Sequence, residues 1–109
     1  MIETNVRIIN RIGQFVPTQV MIPENLAKIA NGVNRMCDAG IFEFKPHLKI
    51  ERDIFTLCVD TTGAKREVIN QVKEIAIENG CEVSENSCFH WLNIRNKKED
   101  ISKYFEGDD

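Results

Sequence analysis

The chain has 109 residues, 42% hydrophobic and 28% charged, ordinary for one soluble globular domain spanning 1–109 and too short for a separate catalytic domain. Its 14 Lys and Arg against 17 Asp and Glu leave a net charge of −3, which excludes a strongly basic nucleic-acid arm and an acidic disordered tail. No apolar run approaches the ~18 residues of a membrane span, and no charged and then apolar leader opens the chain, so a cytoplasmic protein without a membrane partner is expected.

Residues 5–12 alternate, with Val6, Ile8 and Ile12 on one side and Arg7, Ile9 and Arg11 on the other, and this predicts the first strand. Residues 15–22 also have strand composition. Pro17 removes a ladder donor there, which suits only an edge strand or a loop. In residues 24–39, Leu26, Ile29, Ala30, Val33, Met36 and Cys37 fall on one stripe of 3.6-residue period, so a helix is expected. Pro23 suits its first turn, and Gly40 suits a left-handed C-terminal cap. Gly32 inside this helix suggests close packing on a neighbour.

From 42 to 51 the even positions Phe42, Phe44, Leu48 and Ile50 are apolar and the odd ones polar, the pattern of a half-buried strand bent at Pro46. Ile54 to Asp60 returns as a mostly apolar strand. A second helix is expected over 63–79, capped by Thr61 or Thr62 and ended by Gly80, with Ala64, Val68, Ile69, Val72, Ile75 and Ala76 inward. Residues 81–85 and 88–95 read as two short strands about Asn86 and Ser87, and 99–105 as a short C-terminal helix. The order is strand, helix, strand, strand, helix, strand. It predicts an α+β, ferredoxin-like βαββαβ sandwich: two helices on one face of a mainly antiparallel sheet, right-handed crossovers and an extra N-terminal strand.

Three groups of residues could carry function. Thr61, Thr62, Gly63, Lys65 and Arg66 stand at a strand-to-helix turn, where free N–H groups attract anions, although the P-loop spacing is absent. The simpler account is capping and solvated charge. Cys88 and His90 would share a strand face but stand ~7 Å apart, too far for a nucleophile and its base. Zinc would need Cys81, Cys88, His90 and His47 to converge, which the spacing does not require, so neither metal nor cofactor is expected. No cysteine pair has CxxC spacing, and free, largely buried thiols are expected for Cys37, Cys58, Cys81 and Cys88.

The third group is the sheet face turned away from the helices. Parity places Arg7, Ile9, Arg11, Lys45, His47, Lys49, Phe89, Trp91 and Arg95 there. Aromatic rings among cations suit a protein contact, a second copy of the chain, or single-stranded RNA or DNA. The strand from Ile54 to Asp60 lacks the basic-glycine-aromatic segment of RNA-recognition motifs, and a protein partner is the first expectation. Tyr104 and Phe105 could instead cover this face from within the chain.

With no triad, paired carboxylates or glycine-rich phosphate loop, and little room for a deep pocket, the expectation is a non-enzymatic binding or regulatory protein. Ile and Asn number 14 and 10, a bias compatible with an AT-rich source, in which a small phage- or mobile-element-type inhibitor is a natural setting. Truncating Ile29 or Ile75 to alanine is expected to cost about 2–4 kcal/mol in a denaturant melt.

Overall fold

A computed structural model describes residues 1–52, 54–86 and 88–96. Among these residues, six strands form one mixed sheet and two helices lie against one of its faces. The strands are β1 (Ile2–Ile9), β2 (Phe15–Ile22), β3 (His47–Glu51), β4 (Ile54–Asp60), β5 (Cys81–Asn86) and β6 (Trp91–Asn96). The helices are α1 (Glu24–Asp38) and α2 (Arg66–Glu78). The α+β class and the one-sided helix layer stand as expected; the strand order does not.

The sheet runs β2-β1-β3-β4-β6-β5, with only β1 and β3 parallel. A ferredoxin-like order would bring the last strand of the core beside the first. That edge is taken. β2 pairs with β1 along its whole length, from Ile2↔Ile22 to Ile9↔Phe15, and leaves no ladder on that side for a later strand. The other edge of β1 takes β3, where a ferredoxin-like order would place β4, so the last strand pairs with β4 and β5 lies outside it. The extra strand at 15–22 is present as β2, and the two short strands expected over 81–85 and 88–95 are β5 and the later-starting β6. The expected helix over 99–105, with Tyr104 and Phe105, lies outside the described residues.

Local chemistry sets the element ends. β1 starts earlier than its alternation implied, at Ile2 opposite Ile22, and stops earlier because Asn10 closes the hairpin: its Oδ1 accepts from Ile12 N (3.1 Å) and Gln14 N (2.9 Å). Pro17 is tolerated on β2 because β2 is the sheet's edge. α1 ends where Gly40 adopts φ +79°, letting Gly40 N–H donate to Cys37 O and Ile41 N–H to Met36 O, a Schellman closure.

Other expected boundaries shift as well. The strand expected over 42–51 begins only at His47, after the proline that cannot donate to a ladder. Phe42 turns into the core, whereas Phe44 and Ile50 stay 47% and 42% exposed. α2 begins at Arg66 rather than 63, and neither Thr61 nor Thr62 caps it. Thr61 N–H donates to His90 O, Thr62 N–H donates to Asp60 Oδ1, and Gly63 at φ +77° turns the chain before the helix starts.

The core lies between the helices and one sheet face. Val6, Leu48, Leu57, Val59, Leu92 and Ile94 point from the sheet towards Leu26, Ile29, Val33, Ile69 and Val72. Ile75 is 41% exposed against 3% for Ile29, so it lies at the margin of its stripe. Gly32 meets nothing within 4 Å where a Cβ would stand, so the close packing expected of it is absent. It borders a shallow hollow between the helices, beside Val72 and Ile75.

Urea melts should therefore show Ile29→Ala costing about 2–4 kcal/mol and Ile75→Ala below about 1 kcal/mol. Gly32→Ala should raise stability by about 0.5–1 kcal/mol, since alanine fits the helix and restricts the unfolded chain; a loss there would show a packing constraint on that face.

Candidate binding basin on the open face of the sheet

On β1, β3, β4 and β6 the residues that alternate with the core point to the face the helices leave bare. Cross-strand register aligns Arg7, His47, Cys58 and Asn93 in one row across these strands. Asp60 and Trp91 form the next row, continued by Asn86 on β5. Phe15 reaches in from the start of β2, Phe44 and Lys45 from the segment before β3, and Phe89 from the turn before β6. Together with Lys49 they enclose a basin of about 660 Å³. That is the size of many ligand sites, larger than expected of so short a chain.

The floor is aromatic and desolvated. The buried ring of His47 lies 4.6 Å from Phe15, tilted, and 5.3 Å from Trp91, edge to face. Arg7 is fixed at the wall: its guanidinium carbon sits 5.2 Å over the Phe15 ring and Nη2 donates to Lys45 O at 2.6 Å. That bond stands where β1 and β3 have no ladder, so Arg7 ties the segment carrying Phe44 and Lys45 to the sheet. Its Nε is buried with no hydrogen-bond partner among the described residues, a desolvation cost of about 1–3 kcal/mol.

Burial holds the His47 imidazole below its ordinary value; Arg7 and Lys49 push it the same way, and Asp60 opposes them. At neutral pH it is thus an uncharged ring. Burial pushes the Cys58 thiol up, only partly offset by Lys49, so the basin floor carries no thiolate at neutral pH.

Of the residues expected on this face, Arg7, Lys45, His47, Lys49, Phe89 and Trp91 line the basin. Arg11 sits in the β1–β2 turn, and Arg95 lies farther along β6, paired with Glu82 at 3.1 Å. Phe15, Phe44, Cys58, Asp60, Asn86 and Asn93 join them, none of them in the expected set. Parity two residues on from Trp91 pointed to Asn93; Phe15 depended on knowing the hairpin register.

The other candidates come apart. Cys88 and His90 lie in the turn before β6 rather than on a shared strand face, with Cys88 exposed and His90 at φ +56°. His90 borders a different hollow from His47. No group of three His, Cys, Asp or Glu able to hold a metal occurs among the described residues. At the α2 turn Arg66 is engaged by Glu85, both contacts 2.8 Å, and Lys73 joins at 3.2 Å. These bonds hold the Glu85 carboxyl below its usual value. The Arg66 cation foreseen for an anion thus already has one.

No helix among the described residues is long and apolar enough to cross a membrane. Compared with known proteins, the chain matches no family model, and no curated protein or solved structure matches it.

Because the folded state lowers the His47 pKa, the unfolded chain takes up that proton first as pH falls. The stability tied to neutral His47 is complete above about pH 6.5 and is lost as pH drops through the folded-state value. Urea melts between about pH 7 and pH 5 should show declining stability in the wild type and a flatter profile in His47→Asn. Parallel profiles would exclude His47 as the titrating group.

Proposed function

We propose that this chain is a binding module without chemistry of its own, acting as a regulator or inhibitor by docking the open face of its sheet on a protein partner. One observation supports it above the others: Phe15, Phe44, Phe89, Trp91 and His47 converge in a basin with Arg7 at its wall. Aromatic residues and arginine gathered in a concave, partly desolvated patch are the composition of an interface hot spot. Phe89, 69% exposed, and Phe44 at its rim are costly to leave in water and gain by burial against a partner.

A second reading, single-stranded RNA or DNA, is favoured by the placing of Lys45 and Lys49 beside those rings, since stacking and phosphate neutralisation need both. Affinity capture from the native cell extract, with and without nuclease, separates the two. A protein retained after nuclease by the wild type, and lost with Trp91→Ala, is the expected result. Retention that vanishes with nuclease and falls steeply with salt would support nucleic acid instead. Full retention by Trp91→Ala would remove the basin from either account.

A further inference from the structure

We propose that the partner segment seated in the basin is an acidic peptide, with an aromatic or long apolar side chain next to its carboxylates. This rests on the protein-binding reading above and names the chemistry of that partner. The chain as a whole is acidic, at −3, yet Arg7, Lys45 and Lys49 gather at one basin that holds a single carboxylate, Asp60. Arg7 is held in place by the Lys45 carbonyl and the Phe15 ring, so its outer N–H groups meet a carboxylate with little further ordering.

The positive region is short. Lys45 already shares its charge with Asp38 at 3.8 Å. Beyond the basin the same face ends in Glu51 on β3, and on β5 in Glu82, which holds Arg95. A phosphate at every nucleotide would carry like charges onto these carboxylates in either direction, whereas one or two peptide carboxylates fit inside the basic part. The rings supply the other half of the recognition. Phe44 and Phe89 at the rim, with the His47 and Trp91 floor between them, leave space for an apolar side chain beside a carboxylate.

Trp91 is the chain's one tryptophan, so its fluorescence reports on the basin directly. The full chain would be titrated with an acetylated, amidated Gly-Asp-Phe-Glu-Phe-Asp-Gly peptide, with its Asn/Gln and its Lys counterparts, and with a short oligothymidylate. The acidic peptide should shift the emission saturably and bind at least about tenfold tighter than the other three. Lys49→Glu, on the exposed rim, should weaken it by about tenfold, and Arg95→Glu, outside the basin, should leave it unchanged, circular dichroism confirming the fold of both. Equal binding of the neutral peptide would overturn the acidic preference and leave the protein-binding reading standing. Binding of the oligothymidylate alone would overturn both. Silence from every probe would overturn the inference, and the Trp91→Ala capture would then decide the protein-binding reading by itself.

Discussion

The hydrogen-bonded ladder between β1 and β2 is the constraint from which the remaining architecture follows. β1 has two edges, and β2 consumes one of them from Ile2 to Ile9. Only the other edge is left, where β3 pairs in parallel through Arg7↔His47 and Ile8↔Leu48. All later strands must then extend the sheet outward through β4, β6 and β5. The sheet grows to six strands while the helices remain two, both on one face. The opposite face has no layer of its own among the described residues.

That bare face is not a uniformly polar surface. The short β1–β3 ladder leaves the segment before His47 without strand partners, and Arg7 supplies the missing hydrogen bond by donating to Lys45 O. The same side chain stacks on Phe15 and leaves its own Nε unsatisfied. One arginine thus ties the segment before β3 to the sheet and lines the basin, and its orphaned donor is the local cost of holding both positions. His47 plays a similar double part. Burial keeps it neutral, which suits a ring packed between Phe15 and Trp91 and close to two cations.

Much of this was legible in the residues themselves. The α1 stripe and its Gly40 closure follow from a 3.6-residue period and the need for a left-handed residue, both local properties. Period-2 parity likewise placed Arg7, His47, Lys49 and Trp91 on one face, because alternation holds whatever the strand pairs with. Parity failed where backbone chemistry interrupts a strand. Pro46 ends the ladder, so Phe44 left the inward set and joined the basin. The turn at 88–90 took His90 off the strand face and Phe89 to the rim. Ile75 belonged to the right stripe but lay at its margin, since it borders the shallow hollow between the helices beside Gly32, a gap that no single-helix pattern encodes.

The sequence by itself determined the class, the two helices, the β4 strand and the sidedness of most of the sheet, because propensity, capping and alternation act over a few residues. Length, composition and a charge of −3 set the scale and left the basic patch open, since net charge does not register where charges sit. Only the tertiary structure decided the strand order and the composition of the basin. Which edge a strand occupies depends on competition among strands distant in the chain, and that competition brought Phe15, Phe44 and Asn86 to the same hollow as Arg7 and Trp91. Pairing between distant segments is a non-local choice, and it turned a bare sheet face into a concave site.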